Sequence, residues 1–175
     1  LDLRWAEYAS VHSMNVFVGT YNVCARAPQG LDMRSWLCPS TYHQAPADIV
    51  AIVLEELVPL NAQQLLQSAK EELESWKLAV SRTLESTGVQ YELLRHELLF
   101  GTALLVLVKS DVLPHVKNVE GTTKKTGFRG MSGNKGGVAV RLDLFDTSVC
   151  FVGSHLPSGA SNYEDRNADY AAIER

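Results

Sequence analysis

Apolar positions along this chain change their period several times, and each change marks an element. Met14 to Val23 (MNVFVGTYNV) is rich in β-branched and aromatic residues, and both alternating sets are largely apolar. That pattern predicts a strand covered on two faces. Pro28, Gly30, Pro39 and Pro46 then punctuate a loop-rich stretch, with a short helical turn predicted around residues 33–37. Ile49 to Leu54 is an unbroken apolar run, a second buried strand that leads straight into Glu55-Glu56. From Asn61 the period lengthens. Leu65, Ala69, Leu73, Trp76, Val80 and Leu84 recur at steps of four and three, one face of a long helix that Gly88 ends.

Two more strands are predicted at Tyr91–Leu94 and Gly101–Lys109. Further on, Val138, Val140, Leu142 and Leu144 alternate with Ala139, Arg141, Asp143 and Phe145, the signature of a half-buried strand. Asp146-Thr147 turns the chain and Ser148–Leu156 returns beside it, which predicts a β-hairpin. Ser161-Asn162-Tyr163-Glu164 fits a capping box opening a final helix, still running at Arg175, as though the chain stopped in mid-fold.

With 175 residues, 46% hydrophobic and 21% charged, the chain has the proportions of one globular domain. Its longest apolar runs are six residues, far short of the ~20 needed to span a bilayer. The first residues, Leu1 to Trp5, lack the features of a secretory signal. Cys24, Cys38 and Cys150 form no C-x-x-C pair, and the expectation is reduced, buried thiols of a cytosolic protein.

The net charge of −4 does not advertise a polyanion partner, but its distribution does. Residues 121–137 contain Lys124, Lys125, Arg129 and Lys135 and no acid, leaving −8 elsewhere. The same stretch holds six of the twelve glycines. Glycine lets backbone N–H groups approach an anion closely, and lysine adds point charge. A basic, solvated surface loop is the other reading of this composition. A Walker A loop it is not, since Gly136 follows Lys135 where Ser or Thr is required.

Polar residues at the ends of apolar strands are where a rigid scaffold can build a site. Asn22, Glu55-Glu56 and Ser154-His155 all stand in such positions. A carboxylate with an amide oxygen is a hard-oxygen set suited to Mg²⁺, and a histidine can donate to developing charge or shuttle a proton. Taken singly, each is equally a solvated strand terminus or a structural histidine.

Four ordered strings, taken together, are more specific. The run TGFRGMSGNKGGVAVR from Thr126 to Arg141 resembles the signature of the inositol polyphosphate 5-phosphatases. So does CFVGSHL from Cys150 to Leu156, followed by Arg166-Asn167-Ala168-Asp169-Tyr170. Phe17–Val23 resembles that family's opening motif and Asp48–Glu56 its metal-ligand segment. Within the family, Glu55–Ala62 is most similar to the synaptojanins.

The resemblance implies an α+β fold, the endonuclease/exonuclease/phosphatase β-sandwich flanked by helices in four layers (α/β/β/α). Residues 1–175 would be the N-terminal part of a catalytic domain truncated at its C-terminus. It implies Mg²⁺-dependent hydrolysis of the 5-phosphate of phosphoinositides such as phosphatidylinositol 4,5-bisphosphate, or of soluble inositol polyphosphates. By position, Glu56 and Asn22 match the metal ligands, and Asn22 and His155 the catalytic residues. Asn134, Lys135, Arg166 and Asn167 match positions that hold substrate phosphates. The implied partners are a phosphoinositide headgroup and an anionic membrane surface, for a cytoplasmic protein peripheral at membranes.

Departures exist too. Cys24-Ala25 stands where the family usually has Asn-Gly, which is expected to loosen the loop beside Asn22, and Pro157-Ser158 replaces Ala-Ala. The family's Gly-Asp-x-Asn and Ser-Asp-His motifs do not occur, so the 175 residues alone are expected to be inactive and poorly folded. A catalytically inactive phosphoinositide-binding module and a nuclease of the same fold are the alternatives. Stacking aromatics interleaved with basic residues would favour nucleic acid, and the glycine-rich segment offers only Phe128, so no nucleic-acid partner is expected.

Overall fold

In the computed structural model, residues 9–38, 45–59, 65–127 and 133–175 are described. Two sheets face each other. The first has the order β1-β2-β4-β3, built from Val16–Asn22 (β1), Ile49–Glu55 (β2), Thr102–Lys109 (β4) and Tyr91–Leu99 (β3). β1 and β2 run parallel; β4 is antiparallel to both β2 and β3. The second sheet is an antiparallel meander of Val116–Lys125 (β5), Gly136–Leu144 (β6) and Thr147–His155 (β7).

The unbroken apolar runs explain the layering. β2 and β4 are buried on both faces, so each sends alternate side chains into a different core. Val50, Ile52, Leu54, Leu105 and Leu107 pack against Leu73, Trp76, Val80 and Leu84 of the long helix α2 (Leu65–Glu85). Ile49, Ala51, Val53, Leu104 and Val106 instead meet Val138, Val140, Leu142 and Phe151 of the second sheet. Burying each such side chain is worth roughly 1.5–3 kcal/mol, so the two cores together fix the strand registers. At Gly153 the sheets touch so closely that a methyl group would overlap the Val53 side chain. Helix α3 (Tyr163–Ile173) lies over the outer side of the second sheet, with Ile173 against Gly137. The order is therefore helix, sheet, sheet, helix.

Most predicted elements are present, including the helical turn at Arg34–Leu37 (α1) and the β6–β7 hairpin. The side chain of Leu65, placed on the apolar face of α2 by its spacing, lies outside the described residues. Other expectations are corrected. β1 is an edge strand, with Val16 and Val18 exposed, because it has a neighbour only on its β2 side among the described residues. The first five residues of the basic glycine-rich stretch, 121–125, are strand β5 rather than loop, while Phe128 and Arg129 lie outside the described residues. The capping box does not form. Asn162 is the N-cap of α3 without a side-chain cap bond, and its Nδ2 donates to the Ser158 carbonyl at 2.6 Å. α3 ends at Ile173 instead of running to Arg175. All three cysteines are free thiols as expected, yet Cys24 and Cys150 are exposed. No described helix is long and apolar enough to cross a membrane.

Candidate active site

β2, β5 and β7 all finish at one end of the sandwich, and β6 begins there. The hairpin register pairs Gly136 with His155, so Lys135, one residue before β6, falls beside the histidine. Its Nζ donates to His155 Nε2 at 2.7 Å. Two donors cannot face each other, so Nε2 is unprotonated and the imidazole carries its proton on Nδ1. Burial holds the His155 pKa below its ordinary value and the Lys135 ammonium lowers it further, against the pull of Glu56. Lys135 is itself pushed down by desolvation, which both glutamates oppose.

The carboxylates come from the end of β2. Glu56 Oε1 lies 3.7 Å from His155 Nε2 and Glu55 Oε2 lies 3.9 Å from it. Burial raises the Glu55 pKa, Lys135 lowers it and the neighbouring Glu56 raises it again. Glu55, to which the family resemblance assigns no role, is thus within the cluster. Strand parity is the signal that finds it. Ile49, Ala51 and Val53 face the second sheet, Phe151 and Gly153 face back toward the first, and two residues beyond the Val53–Gly153 contact stand Glu55 and His155.

Asn22 pairs in register with Glu55 at the exposed end of β1. Its Oδ1 accepts the Cys24 N–H at 3.0 Å, and the Ala25 N–H donates to the Glu56 carbonyl at 2.7 Å. The loop expected to loosen is therefore hydrogen-bonded, with Cys24 and Ala25 in the left-handed region at φ 49° and 54°. Glu56 is left-handed as well, at φ 56°. Residues held in such conformations cluster where surrounding structure over-determines them, commonly at active sites.

A groove of about 860 Å³ opens beside the cluster, lined in part by Lys124, Lys125, Asn134, Lys135, Asp165 and Asp169. Thr126 Oγ1 donates to Asp169 Oδ2 at 2.6 Å and ties α3 to this rim. Arg166 is turned to the backbone, donating to the carbonyls of Pro157 at 3.1 Å and Gly159 at 2.6 Å, and Asn167 is exposed on α3. The structure thus gathers Glu56, Lys135 and His155, sets Asn22 and Asn134 at the margin, and gives Arg166 a loop-closing role.

Among the described residues no three His, Cys, Asp or Glu side chains converge as a ready cation cage. The donors present are two carboxylates with an amide oxygen in register beside them. Mg²⁺ is commonly held by one or two carboxylates with waters and substrate phosphate completing its shell, so this open hard-oxygen set fits such an ion.

Comparison with known proteins gives a consistent answer. The profile of endonuclease/exonuclease/phosphatase family 2 matches residues 19–175. Inositol-1,4,5-trisphosphate 5-phosphatase 1 of Schizosaccharomyces pombe is 39% identical across 99% of this chain, which spans 16% of that protein. Synaptojanin of Caenorhabditis elegans is 34% identical across 96% of the chain and again 16% of the protein. Among solved structures, the inositol polyphosphate 5-phosphatase domain of SPsynaptojanin, bound to inositol (1,4)-bisphosphate and calcium ion, matches with a TM-score of 0.79 and 37% identity. The match covers 91% of this chain and 45% of that domain. A Cimex nitrophorin, at TM-score 0.57 and 16% identity, shares the fold alone.

Proposed function

Since the chain belongs to endonuclease/exonuclease/phosphatase family 2, we propose that it is the N-terminal part of an inositol polyphosphate 5-phosphatase catalytic domain. Its reaction is hydrolysis of the 5-phosphate of phosphoinositides such as phosphatidylinositol 4,5-bisphosphate, with Mg²⁺ as cofactor. The observation that carries this reading is the meeting of Lys135, His155, Glu55 and Glu56, with Lys135 also lining the lysine-rich groove beside them. Similarity to relatives that are themselves 5-phosphatases supports it.

Glu56 and Asn22 would hold the metal, which when bound neutralises charge on the phosphoryl and leaving oxygens. Lys135 and His155 do the rest from opposite sides of one contact. A phosphate oxygen is a stronger acceptor for an ammonium than a neutral imidazole, so an arriving substrate draws Lys135 off Nε2. The freed Nε2 can then accept the proton that the attacking water loses as its oxygen bonds to phosphorus and the bond to the inositol oxygen breaks. The resulting imidazolium donates a hydrogen bond to the phosphoryl oxygen as charge develops there. Glu55, beside the ring, favours that protonated form. Asn134 and Asn167 are assigned to the phosphates with Lys135, and Arg166 acts on the phosphate side only through the loop it closes.

Lys124 and Lys125 add attraction to an anionic membrane surface, worth about 1 kcal/mol for each well-placed lysine. This suits a cytoplasmic enzyme acting peripherally on lipid headgroups.

The test is Glu56→Gln in the intact protein, which keeps the side-chain shape at a strained backbone position. Phosphate release from phosphatidylinositol 4,5-bisphosphate vesicles and from soluble inositol 1,4,5-trisphosphate is followed with and without Mg²⁺. Release should fall about 100-fold or more with the melting temperature unchanged. Release within about threefold of wild type, still dependent on Mg²⁺, contradicts the assignment.

A further inference from the structure

The turn joining β3 to β4, Phe100-Gly101, touches both halves of this site and has so far been given no part in it. Phe100 is a bulky residue in the left-handed region, at φ 52°, where only strong surrounding constraint holds such a side chain. On one side the Gly101 carbonyl accepts the Leu57 N–H at 3.0 Å, fixing the backbone next to Glu56. On the other side the Phe100 ring lies flush against Gly133, where even a methyl group would overlap it. The ring also stands 5.9 Å from Lys125 Nζ, within range of a cation–π contact. Phe100 belongs to the first sheet, whereas Lys125 and the residues leading into β6 belong to the second. A single side chain therefore bridges the sheets where the carboxylates and the phosphate-facing lysines meet.

We propose that Phe100 is a positioning residue: its ring sets the 133–135 segment and the Lys125 ammonium at the height at which they meet the phosphates of a bound inositide. The proposal rests on the 5-phosphatase reading above. Its logic is a division of labour within one turn. The Gly101 carbonyl serves the metal side through Glu56, and the Phe100 ring serves the phosphate side through Gly133 and Lys125. Glycine at position 100 adopts a left-handed backbone without strain, so Phe100→Gly keeps the turn and its hydrogen bond to Leu57 while removing the ring.

The experiment uses the intact protein and inositol 1,4-bisphosphate as probe, with calcium titrated separately in its absence. Phe100→Gly should weaken inositol 1,4-bisphosphate binding about tenfold while calcium affinity stays within about twofold. Phe100→Tyr, which keeps the ring face, should bind as wild type does. Phe100→Leu keeps an apolar group over Gly133 but offers Lys125 no ring, and should lose about two- to fivefold. It is the deciding variant if Phe100→Gly does not fold. Unchanged inositide binding in the Gly or Leu variant overturns the proposal, as does parallel loss of calcium and inositide, which is what a merely structural residue gives. A wild-type protein that binds no inositol 1,4-bisphosphate overturns the 5-phosphatase reading itself, a result visible before any variant is made.

Discussion

The two ends of this sandwich handle charge in opposite ways. At the end away from the groove, Asp48 saturates both carboxylate oxygens: Oδ1 accepts Lys109 Nζ and Oδ2 accepts the Asn15 N–H, each at 2.7 Å. Both members of the ion pair are largely buried, and at the same end His12 and His115 each stack on Phe145. At the groove end, Lys135 spends its hydrogen bond on a neutral imidazole while two carboxylates stand 3.7 and 3.9 Å from that ring, beyond hydrogen-bond length. Of the six left-handed non-glycine positions among the described residues, four, Cys24, Ala25, Glu56 and Phe100, are at this end too. One end spends its polar groups on holding the strands together. The other keeps groups in reach of one another but incompletely matched, which is what a site needs if a phosphate and a cation are to complete it.

That contrast can be broken from either side. Asp48→Ala strips the far end of its acceptor and leaves a largely buried ammonium unpaired. It should cost about 2–3 kcal/mol of stability, a fall of about 5–10 °C in melting temperature, with turnover per folded molecule unchanged. Glu55→Gln is the matched change at the groove end. Because burial raises the Glu55 pKa, its charged form opposes folding at neutral pH. The substitution should leave the melting temperature unchanged or raise it by about 1–3 °C, while slowing turnover about tenfold through the loss of the carboxylate beside His155. A large destabilisation by Glu55→Gln would make the groove end structural as well.

Acid sharpens the same comparison by a smaller amount. The folded-state pKa of His155 is depressed, so its contribution to stability is complete above the unfolded value of 6.5. It is lost as pH falls from there through the folded value, since the unfolded chain takes up the proton first. Glu55 has the opposite sign: its folded pKa is raised above 4.5, so folding gains as it protonates on the way down to 4.5. The imidazole of His155, followed by NMR, should therefore titrate with a midpoint below 6.5. A midpoint at or above 6.5 would remove the argument that Nε2 accepts from Lys135.

The sequence makes some of this legible and hides the rest for identifiable reasons. β2 and β4 are readable because both faces are buried, leaving uninterrupted apolar runs. β5 is hidden because its residues are mostly exposed, with Val116 and Val119 alone joining the core, so its place rests on backbone pairing with β6. β3 is read only to Leu94 because a register shift between Leu93 and Arg95 breaks its alternation. β1 misleads in the other direction, since apolar residues on both faces predict a covered strand and the structure makes it an edge. In the site, the meeting of Lys135 with His155 is implicit in the hairpin: once the turn at Asp146 is accepted, counting back along both strands brings the two together. What no periodicity conveys is which oxygens face the ring, how the Phe100-Gly101 turn braces the segments around it, or that Arg166 turns to backbone carbonyls.

The most direct measurement compares phosphate release from phosphatidylinositol 4,5-bisphosphate by His155→Gln and by Asp48→Ala, each in the intact protein and each normalised to its folded fraction. If the groove end is the reactive end, His155→Gln loses about 100- to 10,000-fold in turnover with its melting temperature within about 2 °C of wild type, while Asp48→Ala melts early and turns over normally. Turnover by His155→Gln within about threefold of wild type would contradict the account and send the search for the reactive centre elsewhere in the protein.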